Sequence, residues 1–311
     1  MSDYSLRAPN FINIGAQKCA STWLYHCLRE HPGIFMGAKQ VIKFFEHPHY
    51  RQEGWGDYLT HFSAATPEQI IGDSRVEYLY NPESPELIFE HLPDVKLIVL
   101  LRNPVERAVS AYLWNVRKAL IPDLTLSDGL DVVLSGQCQS YDKEVQDRCR
   151  RIIEMGFYAK QMKRYLQLFP MERMLIILHD NIKEDPLDCI QTTCRFLGVD
   201  PDFVPSGLTK TPLKSAGIPL ITKLEQKTRW LYGSGKVWDW LNRGLLRIGV
   251  GRSVPPALNS DVREALEGTY AGPNRDLLEL LKDYSRRDST FSGHLNLERC
   301  QWLTAIEKAS R

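Results

Sequence analysis

The sequence predicts an α/β protein with three α/β/α layers and a central, mostly parallel sheet. Three observations lead there. Apolar runs of strand length stand at 11–14, 95–101 and 174–178. A stretch of helical apolar spacing follows each run, the alternation expected of parallel strands joined by crossover helices. The 311 residues are enough for a sizeable core, and no repeat or low-complexity tract interrupts the alternation.

The first unit is the most informative. Residues 11–14 lead into Gly15, then a loop with Lys18, Ser21 and Thr22, then apolar spacing at Trp23, Leu24, Cys27 and Leu28. Gly15 permits a tight turn and close approach of a ligand to the backbone. The N–H groups of a helix's first turn, with the helix dipole behind them, form an anion site. Lys18 adds a full charge, and Ser21 and Thr22 add hydroxyl donors. The unit is P-loop-like, yet it lacks the GxxxxGK[ST] spacing of nucleotide triphosphatases, because Gln17 precedes Lys18. Taken alone, these residues equally describe a strand–helix turn with a Ser N-cap and a surface Lys.

The helix over 22–30 is expected to stop at His31-Pro32-Gly33. A short strand-like piece and a stretch dense in Lys, aromatic and His residues follow, then a short helix near 58–62 and GDSRVEYL (72–79) as strand then loop. A helix near 85–92 leads to the doubly buried strand 95–101. Arg102-Asn103-Pro104 closes that strand, and Pro104 opens a helix over 105–115. Residues 122–146 read as a mixed surface excursion. Helical spacing returns over 152–169, then comes the strand 174–178 and a helix over 187–197 closed by Gly198. Residues 221–252 carry seven basic residues against two acidic ones, interleaved with Trp230, Trp238 and Trp240. They read as amphipathic helices packing on the core, as a lid, or as a surface for an amphiphilic or anionic acceptor, with peripheral membrane contact open. A last helix pair is expected over 260–270 and 273–284.

A second anion site is readable at the end of the strand 95–101. Arg102 and Ser110, on a strand end and the second turn of the next helix, can offer a bidentate guanidinium and a hydroxyl to one phosphate. Alone, Arg102 could equally be a salt-bridging end cap.

The two motifs together carry a resemblance. GAQKCASTWL (15–24) resembles the 5′-phosphosulfate loop of sulfotransferases that use 3′-phosphoadenosine 5′-phosphosulfate (PAPS), and IVLLRNPVERAVSAY (98–112) resembles their 3′-phosphate segment. GDSRVEYLYNP, MGFYAKQMKRYLQLFP and the 257–281 region are also similar, nearest the bacterial and heparan-type carbohydrate branch. The resemblance implies one sulfotransferase domain over 1–311 with a helical lid or insertion at about 220–255. It implies PAPS as donor, adenosine 3′,5′-bisphosphate (PAP) as product and no metal. Donor contacts would come from Gly15, Lys18, Cys19, Ala20, Ser21, Thr22, Trp23, Arg102 and Ser110, with Gly251 and Arg252 at the place of a Lys-Gly-Arg turn whose Lys is missing here.

In-line sulfuryl transfer depends on positioning and charge stabilisation, with Lys18 as the cation on the leaving oxygen. The acceptor's proton needs a base, and here the pattern departs from the branch. A Glu in KE[VL]xFF serves the heparan-type enzymes, whereas this chain has KQVIKFF, with Val41 or Gln40 at that position. Neither takes a proton. Glu46, His47, His49, Asp73 and Glu77 are the nearby substitutes, of which Asp73 and Glu46 are chosen. A PAP-binding protein without turnover and a nucleotide kinase with a variant loop are the alternatives.

Composition bounds the rest. Lys plus Arg number 39 and Asp plus Glu 38, so no global charge suggests nucleic acid, and an anion must be held locally. The seven cysteines form no CxxC pair, which favours reduced thiols over a disulfide frame or a zinc site. With no signal-like start and no apolar run of spanning length, a cytoplasmic protein is expected, and the resemblance implies a small-molecule, carbohydrate or lipid acceptor.

Overall fold

Five described strands are built from mostly apolar, buried residues, together with polar Asn13, Asp73, Ser74 and Lys96. In a computed structural model of the chain these are β1 (Phe11–Gly15), β2 (Ile34–Met36), β3 (Ile70–Ser74), β4 (Lys96–Leu101) and β5 (Met174–Leu178). The structure describes residues 6–37, 42–46, 48–52, 54–208, 257–287, 295, 297 and 300–304. Gln40, Val41, His47, Gly251, Arg252 and the whole basic, Trp-containing stretch 221–252 lie outside the described residues.

The described α-helices are α1 (Ser21–Glu30), α2 (Gly54–Thr60), α3 (Ser84–His91), α4 (Pro104–Arg117), α5 (Leu126–Leu134), α6 (Lys143–Glu154), α7 (Tyr158–Leu166), α8 (His179–Glu184), α9 (Pro186–Leu197) and α10 (Ser260–Arg287). They divide between two units: residues 1–103, 157–212 and 272–311, and residues 104–156 and 213–271.

The first unit holds the sheet. Its order is β2-β3-β1-β4-β5 and every pairing is parallel. All five β5 residues are buried, as are Leu97 to Leu101 of β4, because helices cover both faces of a parallel sheet. Each fully buried Leu or Ile contributes about 2 kcal/mol through removal from water. Strand order reverses at β1, with β3 on one side and β4 on the other. Ligands of open α/β sheets gather at the carboxyl ends of such strands.

In the second unit, α4 opens with Pro104 and buries Val105, Arg107, Ala108, Ala111, Tyr112 and Asn115, an apolar stripe broken by the Arg107 guanidinium and the Asn115 amide. Arg107 is fully buried and donates from Nη2 to the Ile152 carbonyl of α6. The expected mixed surface excursion over 122–146, most of it exposed or half-buried, contains α5 and the start of α6. Their signals are N-caps: Asp128 N–H donates to Thr125 Oγ1 at 3.2 Å, and Val145 N–H to Asp142 Oδ1 at 2.9 Å.

Two further expectations are corrected. The helical stretch 152–169 is broken, with α6 ending at Glu154 and α7 starting at Tyr158. The final helix pair is one helix, α10, with Pro273 inside it. Its buried positions, Val262, Leu266, Tyr270, Leu277, Leu281 and Tyr284, keep helical spacing through the proline. Continuous burial outweighs the roughly 3 kcal/mol that an interior Pro costs.

Candidate functional site

Gly15 ends β1 at φ 145°, and a Cβ there would lie 2.9 Å from the Val76 carbonyl and 3.0 Å from Leu79 Cβ. Only glycine fits both the conformation and the space. The loop after it is tied to its neighbours: Ala16 N–H donates to the Leu100 carbonyl of β4 at 2.8 Å, and Gly15 N–H to Asn13 Oδ1 at 3.3 Å. Lys18 (φ 68°) and Ala20 (φ 73°) both adopt the left-handed conformation, which costs a non-glycine residue about 1–2 kcal/mol. Two such residues two positions apart are retained strain of the kind that shapes anion-binding turns.

Helix α1 begins at Ser21, and its first i→i−4 bond runs from Leu24 N–H to the Ala20 carbonyl at 3.1 Å. The N–H groups of Ser21, Thr22 and Trp23 lie ahead of that bond, at the positive end of the helix, with no acidic residue in the first turn. Ser21 is buried; Lys18 and Thr22 are half-buried. The indole of Trp23 points elsewhere, donating from Nε1 to the Leu208 carbonyl at 3.2 Å, so at Trp23 only the backbone belongs to this turn. The Cys19 thiol is likewise turned into the core, 3.6 Å from the Tyr158 hydroxyl.

The second motif meets the first. β4 pairs directly with β1, and Arg102, just past its end, brings Nη1 within 3.5 Å of the Lys18 carbonyl. Ser110 is half-buried on α4 in the second unit.

GDSRVEYL wraps the same loop. Arg75 N–H donates to the Asn13 carbonyl at 3.0 Å and Leu79 N–H to the Ile14 carbonyl at 2.9 Å, so residues 73–79 lie against the end of β1. Asp73, the penultimate residue of β3, is 2% exposed. Its carboxylate accepts from Ser74 N–H at 2.7 Å and from the Tyr58 hydroxyl at 3.1 Å. Burial raises its pKa from 3.8 to about 6, against the opposing pull of those donors, of Arg75 and of Tyr78. Tyr58 is pushed well above the ordinary phenol value by burial and by Asp73.

Glu46 is otherwise engaged. Its Oε2 lies 2.6 Å from Nη2 and 2.7 Å from Nε of buried Arg75, which also lies 3.3 Å from Glu77. The turn around Glu46 is fixed by Asn81 Nδ2, donating to the Glu46 carbonyl, and by Ser84 Oγ, donating to the Phe45 carbonyl at 2.6 Å. Phe44 and Phe45 pack with Trp55, Tyr58 and His91. His49 is exposed. The structure thus gathers Gly15, Lys18, Ser21, Thr22, Arg102 and Asp73 around the ends of β1, β3 and β4. Sequence reasoning missed Asn13 and Tyr58. Asn13 reads as a strand residue, and Tyr58 as one more core aromatic.

Among the described residues, no group of His, Cys, Asp and Glu is arranged to hold a metal ion, and no helix is long and apolar enough to cross a membrane.

Comparison with known proteins bears on this geometry. Residues 8–215 match the family described as Sulfotransferase domain. The mouse bifunctional heparan sulfate N-deacetylase/N-sulfotransferase 4 is 30% identical over 284 residues, which is 88% of this chain and 30% of that protein. The mouse heparan sulfate glucosamine 3-O-sulfotransferase 3A1 is 28% identical over 200 residues, 64% of this chain and 48% of that protein. The chain therefore spans about a third to a half of these relatives' length. A solved sulfotransferase structure from Alicyclobacillus acidocaldarius aligns with TM-score 0.56 and 27% identity, covering 75% of this chain and 99% of that one.

Proposed function

Because the chain belongs to the sulfotransferase family, we propose that it transfers a sulfuryl group from PAPS to a hydroxyl or amine of a carbohydrate or related acceptor. The observation that carries this reading is the pairing of the Gly15–Thr22 loop with Arg102 at adjacent strand ends. PAPS supplies the activated sulfuryl group and a bisphosphate leaving group. The donor set of the first unit suits it: three first-turn N–H groups, two hydroxyls and a Lys for the 5′ end, and the Arg102 guanidinium for the 3′-phosphate.

The chain's own residues then have distinct tasks. Lys18 balances the charge that grows on the leaving oxygen. The strained loop holds its N–H groups fixed, so little reorganisation accompanies reaction. Asp73 takes the acceptor's proton at its carboxylate, with a pKa near the operating pH of a general base. Glu46 holds Arg75 in place beside it. The expected carbohydrate acceptor rests on the heparan sulfate enzymes among the relatives.

Calorimetric titration with PAP, beside Lys18→Ala and Arg102→Ala and with ATP–Mg²⁺ as control, tests the donor site. Radiolabelled PAPS offered to an unsulfated glucosamine oligosaccharide and to a simple alcohol tests transfer. Micromolar PAP binding that both substitutions weaken at least about tenfold, with label moved to an acceptor, is expected. A preference for ATP–Mg²⁺ would refute the reading. Tight PAP binding with no transfer would favour a non-catalytic PAP-binding protein, the alternative that KQVIKFF keeps open.

A further inference from the structure

A buried carboxylate with a proton-accepting task must be both aimed and kept ionisable, and the residues around Asp73 do both. The Tyr58 hydroxyl donates to Asp73 Oδ2 at 3.1 Å, while the Ser74 N–H occupies Oδ1 at 2.7 Å. The two oxygens are therefore distinct: one is fixed by the strand's own backbone, the other by a phenol from α2. That phenol has little freedom. Its ring stacks on Trp55 at 5.0 Å and 22°, and packs against Phe44 at 5.0 Å, Phe45 at 5.2 Å and Phe62 at 5.2 Å. With Tyr58 2% exposed, no water competes for the bond.

We infer that Tyr58 is the positioning residue of the proton acceptor, its clamped hydroxyl orienting the Asp73 carboxylate and keeping it ionisable at neutral pH. The inference rests on the reading of Asp73 as the base. The other groups facing Asp73 are few. Tyr78 and Arg75 come from the turn after β3, and Glu46 and Glu77 act through their ion pairs with Arg75. Tyr78 directs its hydroxyl to the Ile42 carbonyl at 3.4 Å, and Arg75 is shared between two carboxylates. Both Tyr58 and Tyr78 bond to Asp73, and Tyr58 is the one brought in from a separate element, α2, with its hydroxyl 3.1 Å from Oδ2. A hydrogen bond to the ionised form of a carboxylate favours that form, so removing it lets burial prevail and the pKa rises.

The test uses the full chain with carboxyl-labelled aspartate, the Asp73 signal being assigned by its loss in Asp73→Asn. In Tyr58→Phe the Asp73 titration midpoint moves up by about one pH unit, while PAP affinity measured by calorimetry stays within about twofold of the native protein. Site-specific 3-fluorotyrosine at position 58 keeps the shape and donates more strongly, so it moves the midpoint down. That variant decides the matter if Tyr58→Phe does not fold. An unmoved midpoint in either variant overturns the inference. A second arm measures transfer from labelled PAPS to the glucosamine oligosaccharide. Loss of transfer in Asp73→Asn, together with an unmoved midpoint, sinks the role of Tyr58 alone. Full transfer by Asp73→Asn sinks the base reading and this inference with it.

Discussion

Replacing Asp73 by Asn should make the protein more stable while abolishing turnover, and the sizes of both effects follow from the site. The carboxyl is almost fully buried, and burial raises its pKa from 3.8 to about 6. Between those values the native state binds the proton more tightly than the unfolded chain, so stability falls as pH rises from about 4 to 6 and levels off above. At 1.36 kcal/mol for each pH unit between the two values, the ionised carboxylate costs the fold about 3 kcal/mol at neutral pH. An amide avoids that cost and still bonds: its oxygen accepts from Ser74 N–H and its NH₂ can donate to the Tyr58 oxygen. The expected gain for Asp73→Asn is therefore about 1–3 kcal/mol near pH 7, shrinking to about zero near pH 4, as read by urea denaturation at both pH values. Transfer from PAPS should fall by about 10²–10⁴ because the amide accepts no proton. Equal destabilisation at both pH values would refute the reasoning, since it would mean that the carboxylate is held for its bonds and not against its desolvation.

Other outcomes follow from the loop and its surroundings. Gly15→Ala meets a backbone oxygen at 2.9 Å in a conformation of φ 145°, and should cost about 2–4 kcal/mol by thermal or urea unfolding and abolish PAP binding. Ala20→Gly removes the left-handed penalty at φ 73° against a gain in unfolded-chain entropy, and should stabilise by up to about 1 kcal/mol with PAP affinity retained. Glu46→Gln leaves buried Arg75 with Glu77 as its remaining carboxylate, and should destabilise by about 1–3 kcal/mol, measured as a lower urea midpoint at unchanged slope.

Much of the fold was legible because it rests on local pattern. The apolar runs at 11–14, 95–101 and 174–178 are β1, β4 and β5, since residues buried on both faces of a sheet can hardly be anything but apolar. The turn between β1 and α1 was legible for a similar reason: Gly15, Lys18, Ser21 and Thr22 are close in sequence, and chain connectivity alone brings them to one helix end. Capping chemistry at Thr125 and Asp142, also local, was readable and was passed over.

What tertiary structure decided is whatever depends on residues far apart in sequence. Pro273 argues for a break, yet burial on both sides of it carries α10 through. Trp23 and Cys19 stand inside the loop motif, but their side chains turn to Leu208 and Tyr158, partners that no local pattern announces. Asp73 and Glu46 were equal candidates as letters. Packing separates them: one is buried under a clamped phenol that leaves its pKa near 6, the other is bound to a buried guanidinium. Sequence determines which chemical groups exist and which lie within a few residues of each other. Desolvation and pairing, which decide what those groups can do, are set by neighbours that only the folded chain supplies.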